Sequence, residues 1–380
     1  MDFRLTEEQQ LFQRNVREFV DREIAPTAAE IDEHARFPEA NLKKIADLGL
    51  IGLGIPSAYG GSDGDSTMVA IAIEEIARGC ASTSTVYAVT LSLCNHVIWA
   101  FGNEDQKRRY VPALSRGERL GCYGLTEPEA GSDAASLRTR ARRDGDDYVI
   151  TGTKQFISNG DRADTMILFA TVNPELRSRG ITAFIVETNQ PGYTVLKVEK
   201  KLGIRGSSTA ALALENVRVP ASNRLGEEGE GFKIAMQVLD SSRIGIAAQA
   251  VGIAQAAFEA AVSYARERRQ FGRPIADNQA IQFMLADMRT RLEAARLLTL
   301  RAADMHDRGL KHSAETSMAK LFASEVAEFI TSKAIQIHGG YGYLRDFPVE
   351  RYYRDARITQ IYEGTSEVQR IVIARDTLSR

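Results

Sequence analysis

The chain of 380 residues lacks the features that mark secreted and membrane proteins. Its three cysteines, Cys80, Cys94 and Cys122, match no metal-ligand spacing, so we expect reduced and mostly buried thiols. No apolar run reaches about 18 residues, which predicts no membrane-spanning helix. Residues 1–8 carry acidic side chains without an apolar core, which argues against a signal peptide. We therefore expect a cytoplasmic protein, or a mitochondrial matrix protein if the chain is processed.

An excess of one charge is also missing from the chain. The 48 Lys and Arg residues nearly balance the 50 Asp and Glu residues, which leaves a net charge of −2. A nucleic-acid-binding protein usually carries a basic surplus, so this class is disfavoured. A hydrophobic content of 44% and a charged content of 26% are typical of a soluble globular protein. The length predicts two or three domains.

Helical periodicity dominates residues 1–120. Residues 6–9 form a capping-box pattern ahead of an amphipathic run, which predicts a first helix. Asp65 or Ser66 is placed to cap a second apolar helix, and residues 81–101 carry a third. These signals predict an N-terminal helical domain.

Residues 121–222 have a different pattern, with short apolar runs separated by turn residues. Such runs are typical of β-strands, and their number indicates a small barrel or sandwich. The predicted strands cover residues 148–150, 165–172, 181–186, 194–198 and 210–219.

Long helical patterns return in residues 223–380, and Gly339 with Gly340 ends the last of them. The predicted helices cover residues 231–269, 279–307 and 313–337. The whole chain therefore reads as an α+β protein, mainly α, with a helical domain (1–120), a β domain (121–222) and a C-terminal four-helix bundle (223–380).

One short stretch near the C-terminus places a single carboxylate on a turn in apolar surroundings. Glu363 follows Ile361 and Tyr362, and Gly364 allows a tight turn directly after it. A carboxylate in such surroundings is a candidate general base. From the pattern alone, a Glu on a turn is more often a solvated surface residue.

A helix start is predicted just after this carboxylate. Ser366 and Gln369 have the spacing of a capping box, which indicates that a helix begins at Ser366. Burial would raise the pKa of Glu363, whereas the positive end of the helix would lower it. The balance of the two effects sets the working pKa of this group.

The order helix, β, helix and the Tyr362-Glu-Gly-Thr-Ser366 motif closely resemble the acyl-CoA dehydrogenase family, over essentially the whole chain. This resemblance implies that FAD is held between the β domain and the C-terminal bundle, in a homotetramer built as a dimer of dimers. Five further motifs support it in the family's order: Gly124-Leu-Thr-Glu-Pro-Glu-Ala-Gly-Ser-Asp133, Lys154-Gln-Phe-Ile-Ser-Asn-Gly160, Arg266-Glu-Arg-Arg-Gln-Phe-Gly272, Gln336-Ile-His-Gly-Gly-Tyr-Gly342 and Arg354-Asp-Ala-Arg357.

The resemblance assigns one group of residues to the flavin half of FAD. Ser132 is implied at the cofactor pyrophosphate or the nearby acyl-CoA, and the ring of Phe156 is implied to flank the flavin. From the residues alone, the loop could be an ordinary turn and Phe156 a core residue. The implied flavin contacts are Tyr123, Leu125, Thr126, Phe156 and Ser158.

A second group is implied at the phosphates and the adenosine. Arg268 would reach the pyrophosphate of FAD in a neighbouring subunit, where a planar guanidinium suits a bidentate contact. Without the resemblance, Arg268 is a solvated helix end and the glycine pair a plain helix terminus. The other residues implied here are Gln270, Phe271, Gln336, Gly340, Thr365 and Glu367, the last in place of a Gln found in some members.

The implied reaction is the α,β-dehydrogenation of an acyl-CoA thioester. Glu363 would remove the α proton while the β hydrogen leaves as hydride to the flavin. The developing enolate needs hydrogen bonds, which in the family come from the base residue's backbone N–H and a ribityl hydroxyl of FAD. A second base position exists in the family, but here it is Ser242, so the role falls to Glu363.

The substrate contacts point to a short acyl group of about four to six carbons, straight or α-methyl-branched. Gln249 and Thr359 match residues that close the acyl pocket in short-chain members, and Thr85 and Asn95 are expected at its far end. Asp240 and Arg243 could instead form a surface ion pair one helical turn apart. The full set implied at the substrate is Ser132, Asp240, Arg243, Gln249, Thr359, Tyr362 and Gly364.

The resemblance further implies that electrons pass to an electron-transfer flavoprotein, and it implies no metal. Two alternatives remain open. An acyl-CoA oxidase would use the same fold with oxygen as acceptor, although such oxidases often carry an added C-terminal domain. A non-catalytic flavoprotein scaffold or a nucleic-acid binder would be expected to lose the base or gain a basic surplus.

Overall fold

A computed structural model describes residues 4–379. Residues 1–3, which contribute to the signal-peptide prediction, lie outside the described part. Helices make up the N-terminal region up to residue 115: α1 (Glu7–Phe19), α2 (Ala28–Glu33), α3 (Glu39–Asp47), α4 (Ser66–Gly79), α5 (Ala81–Thr90), α6 (His96–Phe101) and α7 (Glu104–Ser115).

The N-terminal helix starts follow from local sequence. The capping box at Thr6 and Gln9 forms as predicted, since each side chain bonds the other residue's backbone N–H. Asp65, rather than Ser66, caps α4 by accepting from Met68 N. A π-helical segment, Leu91–Asn95, joins α5 to α6, so the predicted helix over residues 81–101 is continuous.

The middle region is an eight-stranded, mostly antiparallel sheet in the order β6-β7-β3-β2-β4-β5-β8, with β1 parallel to β4. Its strands are β1 (Gly121–Gly124), β2 (Arg140–Asp144), β3 (Asp147–Ser158), β4 (Thr165–Thr171), β5 (Ile181–Glu187), β6 (Tyr193–Val198), β7 (Thr209–Pro220) and β8 (Arg224–Leu225).

Three strand predictions were incomplete, for identifiable reasons. The sequence reading missed β1, which is four residues long and has glycine at both ends. It missed β2 because that strand is almost entirely charged and only its alanine is buried. It ended the next strand at Ile150, whereas β3 continues to Ser158 through two register shifts against β7.

The central strands β4 and β5 are buried on both faces. Alternate residues of β4, Met166 and Leu168, pack into the sheet's own core. The residues between them, Ile167 and Phe169, pack against helical residues that include Val97. This double burial explains the continuous apolar runs and fixes the sheet against the helices beside the candidate site.

The C-terminal region contains the long helices α8 (Gly231–Glu267), α9 (Gln279–Asp307) and α10 (Ser313–His338), followed by α11 (Val349–Ala356) and α12 (Ser366–Leu378). A two-stranded hairpin, β9 (Arg269–Gln270) and β10 (Arg273–Pro274), separates α8 from α9. Gly339 ends α10 with a positive φ, as predicted. The α+β architecture is therefore confirmed, whereas the domain boundaries stay predictions.

The start of α12 differs from the predicted capping box. Thr365, not Ser366, is the N-cap, because its backbone is extended and its hydroxyl accepts from Val368 N. Gln369 does not return to the cap; its amide instead donates to the carbonyls of Glu363 and Gly364. The prediction of the helix was right, and that of its cap was wrong by one residue.

Two helical stretches are long and apolar enough to cross a membrane by length and composition, Ala81–Phe101 and Gly231–Glu267. However, 67% and 83% of their most apolar windows are buried inside the fold, as in the core helices of many soluble proteins. The expectation that the chain spans no membrane stays a prediction.

Gly252 tests the close packing of α8 on α4. A Cβ added there would lie 2.1 Å from the carbonyl oxygen of Glu74 and 2.9 Å from Ala77 Cβ. We expect Gly252→Ala to lower the free energy of unfolding by about 1–3 kcal/mol, because the two helices must separate. Urea unfolding followed by helical circular dichroism measures this change.

Gly245→Ala in the same helix is the matched control. Its added Cβ would approach only Ile73 Cδ1, at 3.1 Å, which is the end of a flexible side chain. Alanine has a higher helix propensity than glycine by about 1 kcal/mol, so the control should be neutral or stabilising. Equal stability of the two variants would contradict close packing at Gly252.

Candidate active site

The candidate base Glu363 lies on a strained turn between α11 and α12. Its φ is +52°, and that of Gly364 is +92°. A non-glycine residue in this left-handed region costs about 1–2 kcal/mol, which the surroundings must offset. The turn directs the partly buried side chain of Glu363 toward α8.

The carboxylate of Glu363 is hydrogen-bonded by α8. Ser242 Oγ donates to Glu363 Oε2 at 2.5 Å. Burial raises the pKa of Glu363, whereas the Ser242 hydrogen bond and the charges of Lys320 and Arg243 lower it, and the net shift is upward. The position that the resemblance marked as a second base site therefore supplies a hydrogen-bond donor to the first.

The spacing of Asp240 and Arg243 was also compatible with an ion pair on the protein surface, but Arg243 is buried. It donates to Asp240 Oδ1 at 2.6 Å and to Ser317 Oγ at 3.2 Å, and its side chain is only 5% exposed. The two residues do form an ion pair, but Arg243 is buried and is not part of a solvated surface.

The residue before Glu363 is hydrogen-bonded to α8. The Tyr362 hydroxyl donates to Gln249 Oε1, and Gln249 Nε2 donates to Thr85 Oγ1 at 2.8 Å. The structure thus brings together three residues expected at the acyl pocket. Thr359 is fully buried, but its hydroxyl bonds its own helix at Ala356 O.

Asn95 forms no hydrogen bond with Tyr362, Gln249 or Thr85 among the described residues. Its side-chain amide donates to Ser115 Oγ at 2.9 Å, which links two N-terminal helices. The contact indicates a structural role, so nothing in it supports the expected position at the end of the acyl pocket.

A cavity of about 810 Å³ is lined in part by Ser242, the hydrogen-bond partner of Glu363. Asp240 and Ser242 line it on α8, and Lys311 and His312 line it on the loop before α10. Its volume lies in the range of ligand pockets. Among residues 4–379, no cluster of three or more His, Cys, Asp or Glu side chains is placed to hold a metal ion.

The loop assigned to the flavin is held by a buried ion pair. Lys154 Nζ donates to Leu125 O at 3.1 Å and to Glu127 Oε1 at 2.8 Å. Burial lowers the pKa of Lys154 to about 8, although Glu127 opposes this shift. Thr126 O accepts from Gln155 N at 2.9 Å, so the loop is fixed to β3 along its length.

Tyr123 connects this loop to the base. Its ring lies 5.0 Å from that of Phe169, and its hydroxyl oxygen is buried with no hydrogen-bond partner among residues 4–379. Burial and the charge of Glu363 both raise its pKa. A buried hydroxyl of this kind normally has a partner, which a bound ligand can supply.

Phe156 is exposed, so the reading as a core residue is wrong. Its side chain is 64% exposed with φ +59°, at one of the register shifts of β3. Ser158 is partly buried at the end of the same strand, paired with Thr209. Ser132 is exposed, and no described contact brings it to Glu363.

A separate groove of about 400 Å³ collects the residues assigned to the cofactor phosphates. Arg268, Gln270 and Gly340 line it, and the Arg268 guanidinium lies 5.3 Å from the Tyr341 ring centre. A Cβ at Gly340 would meet no atom within 4 Å among the described residues.

Two other members of this group lie on exposed surface. Phe271 is 98% exposed at the tip of the β9–β10 hairpin, and Gln336 is exposed on α10. Thr365 is used as the cap of α12. Glu367 is exposed, and hydrogen bonds from its own backbone N–H and the Thr365 hydroxyl lower its pKa.

The two groups of residues fit the parts of FAD. The loop from Tyr123 to Thr126 offers a buried hydroxyl without a partner, and Phe156 offers an exposed ring. The Arg268 groove offers a cation and an open glycine backbone suited to phosphates.

Sequence reasoning missed two buried lysines and the partner role of Ser242. Lys320 is fully buried on α10 and donates to Gly364 O at 2.5 Å. Its position three and four residues from Ala323 and Thr316 places it on the buried face, and that spacing was a usable signal. The pairing of Lys154 with Glu127 crosses 27 residues, and no local pattern reveals it.

Comparison with family models covers nearly the whole chain. Residues 6–118 match the acyl-CoA dehydrogenase N-terminal domain, residues 122–217 the middle domain and residues 229–378 the C-terminal domain.

Two curated relatives are similar over their full length. The chain is 49% identical to "Acyl-CoA dehydrogenase, short-chain specific" of Clostridium acetobutylicum, covering 98% of this chain and 99% of the relative. It is 48% identical to "Acryloyl-CoA reductase (NADH)" of Anaerotignum propionicum, covering 100% and 97%.

Several solved structures have the same fold as this chain. Butyryl-CoA dehydrogenase from Megasphaera elsdenii is 45% identical with a TM-score of 0.98, and the match covers 100% of both chains. A chain from a structure of the electron transferring flavoprotein of Acidaminococcus fermentans is 46% identical with the same TM-score and coverage. The glutaryl-CoA dehydrogenase of Mycobacterium smegmatis in complex with FADH2 is 32% identical with a TM-score of 0.94, covering 99% and 96%.

These matches agree with the geometry of the base turn and of the two candidate FAD-binding surfaces. The chain belongs to the acyl-CoA dehydrogenase family and is an FAD-dependent oxidoreductase.

Proposed function

We propose that the protein oxidises short-chain acyl-CoA thioesters of about four to six carbons to trans-2-enoyl-CoA, with Glu363 as the base. The observation that carries this proposal is the hydrogen bond from Ser242 to the Glu363 carboxylate, because Ser242 also lines a ligand-sized cavity. The similarity to short-chain and butyryl-CoA dehydrogenases supports the substrate class.

The surroundings of Glu363 shift its pKa in the direction needed to remove an α proton of low acidity. Burial raises the pKa of Glu363 toward that of the activated substrate, while Ser242 and two cations keep the carboxylate available. The backbone N–H of Glu363 donates to no backbone carbonyl among residues 4–379, so it is free to bond the thioester oxygen. Bound FAD supplies the acceptor for the β hydride.

The hydrogen-bonded group of Tyr362, Gln249 and Thr85 supports a short acyl chain. Tyr362 directly precedes the base, so the group closes the pocket near the reacting carbons. A longer chain would have to break these buried hydrogen bonds, each with a net value of about 1 kcal/mol. We assign the CoA arm to the cavity beside Asp240 and Ser242.

For the cofactor, we propose that Tyr123, Leu125, Thr126, Phe156 and Ser158 contact the flavin. Ser132 would lie near the pyrophosphate or the substrate, and Thr365 with Glu367 near the adenosine. The buried Lys154–Glu127 pair supports the flavin loop. This arrangement explains why an aromatic side chain on β3 remains exposed in the chain alone.

A homotetramer built as a dimer of dimers is part of the proposal. Phe271 and Tyr343 are 98% and 85% exposed, which is unusual for large aromatic side chains. They are expected to be covered by a neighbouring subunit, where Arg268, Gln270, Gln336 and Gly340 would reach its FAD.

We propose an electron-transfer flavoprotein as the acceptor and the cytoplasm as the location. The close match to a chain from a structure of such a flavoprotein supports the partner. The similarity to a bacterial relative supports the location. Oxygen as acceptor, in an acyl-CoA oxidase, is the competing hypothesis.

Reduction of an enoyl-CoA is a second candidate function, favoured by the relative named acryloyl-CoA reductase. The same site would work in reverse, with protonated Glu363 delivering its proton to the α carbon. The direction then depends on the potential of the electron partner, not on the residues of the site.

Anaerobic titration of the yellow protein with acyl-CoAs tests the function. Butyryl-CoA and its α-methyl-branched analogues should bleach the flavin band, and octanoyl-CoA should do so less well. A methylene changes binding by about 1–3 kcal/mol, so neighbouring chain lengths should differ gradually. Absence of bleaching by every acyl-CoA would contradict the proposal.

Two controls separate the competing reactions. Air added to the substrate-reduced protein should reoxidise it slowly, whereas rapid reoxidation with peroxide release would indicate an oxidase. Chemically reduced protein mixed with acryloyl-CoA or crotonyl-CoA tests the reverse reaction. Faster turnover in that direction, at matched concentrations, would favour the reductase.

Glu363→Gln tests the base. The variant should retain FAD but reduce its flavin about 10²–10⁴-fold more slowly with butyryl-CoA, because the neutral amide cannot accept the proton. Stopped-flow absorbance measures the rate. Glu325→Gln, an exposed carboxylate paired with Arg370, is the control and should behave as the unaltered protein. Rapid reduction in Glu363→Gln would remove the assignment.

Arg268→Ala tests the contact with the cofactor phosphates. Loss of a charged, bidentate hydrogen bond of about 1.5–3 kcal/mol should weaken FAD binding about tenfold to hundredfold. The absorbance ratio of flavin to protein after dialysis measures retained FAD. Arg273→Ala, on the hairpin that follows Arg268 and bonded to Asn278, is the control. Unchanged FAD content in Arg268→Ala would argue against the contact.

A further inference from the structure

Lys320 is a buried cation that contacts the turn of the candidate base. It lies on α10 with 0% exposure, and its ammonium donates to Gly364 O at 2.5 Å. Burying an ammonium is costly unless it is paired and hydrogen-bonded. The residue that it bonds directly follows the candidate base.

The bond from Lys320 falls on the strained part of the chain. Glu363 and Gly364 both have positive φ, and the Gly364 carbonyl accepts from Lys320 and from Gln369 Nε2, the latter at 2.8 Å. Gln369 Nε2 also lies 3.3 Å from Glu363 O. These donors oppose the left-handed strain and determine the direction of the Glu363 side chain.

The charges near Lys320 come from three elements. Glu363 lies on the turn, Arg243 on α8 and Glu367 at the start of α12. Arg243 is paired with Asp240 and Ser317, and Glu367 is exposed to solvent. Among residues 4–379, no carboxylate forms an ion pair with Lys320, so Glu363 is the nearby buried anion that its charge can stabilise.

We propose that Lys320 is a positioning residue for the base. Its ammonium holds the Glu363–Gly364 turn in its strained conformation and favours the ionised form of the Glu363 carboxylate. This inference rests on the proposed role of Glu363, and it adds a residue on a different helix that controls both the orientation and the charge of that group.

The other buried lysine, Lys154, differs from Lys320 in having a carboxylate partner. It also donates to a loop carbonyl, Leu125 O, but it has its own carboxylate partner in Glu127. Lys154 therefore forms a closed pair that fixes the flavin loop. The charge of Lys320, whose bonded acceptor is a neutral carbonyl, remains available to the base.

Two substitutions separate the functions of the ammonium. Lys320→Met removes both the donor and the charge, whereas Lys320→Gln keeps a donor and removes only the charge. Lys333→Met, on the same helix over the Phe329 ring, is the matched control and should leave reduction unchanged. Each holoprotein is mixed anaerobically with butyryl-CoA at a series of pH values, and flavin reduction is followed by stopped flow.

The acidic limb of the rate profile is the diagnostic measurement. Loss of the nearby cation disfavours the ionised base, so its pKa rises and the limb should move to higher pH. We expect a shift of about one pH unit in both Lys320 variants. The maximal rate at high pH should fall about tenfold or more in Lys320→Met and less in Lys320→Gln, which can still hold the turn.

A purely structural role predicts another result. Both variants would then lose thermal stability or FAD while the remaining holoprotein kept the unaltered pH profile, and this result would overturn the proposal. If Lys320→Met does not retain FAD, Lys320→Gln alone decides the charge effect. Failure of the base assignment is distinguishable, because only then does Glu363→Gln reduce its flavin rapidly.

Discussion

Close packing around α8 is the constraint on which the fold and the site both depend. Its glycines and alanines allow α4 to approach so closely that a methyl group at Gly252 would overlap the carbonyl of Glu74. The same helix carries Ser242, which donates to Glu363, and Gln249, which donates to Thr85. Since Arg268 is the C-cap of α8, one helix connects the contacts of Glu363 and Thr85 with the Arg268 groove.

Burial and nearby polar groups have opposite effects on the pKa of Glu363. Removal of Glu363 from water favours its neutral form, and Ser242, Lys320 and Arg243 act in the other direction. Such a balance is what the proposed role as a general base requires, because the group must be basic and still ionised. The surrounding charges are themselves held by neutral hydrogen bonds or by closed pairs, so they do not neutralise the base.

Buried lysines stabilise both functional loops through backbone carbonyls. Lys154 holds the loop at Leu125 and Lys320 holds the turn at Gly364, and each lies on a regular element of a different domain. Burial lowers the pKa of each to about 8. Irregular backbone at a functional site needs such partners, because its polar groups cannot be satisfied by regular ladders.

By itself, the sequence determined the helix–β–helix order, most helix bounds and the candidate base, because periodicity, caps and motifs are local properties. It could not show that Ser242 lies 2.5 Å from Glu363 or that Lys320 supports the turn, since 121 and 44 residues separate these partners. It misassigned the cap of α12 by one residue, because two neighbouring hydroxyls fit the pattern and only the backbone conformation at Thr365 selects one. The tertiary structure alone decided the balance of burial and charge at Glu363, because both depend on which side chains distant helices bring into contact.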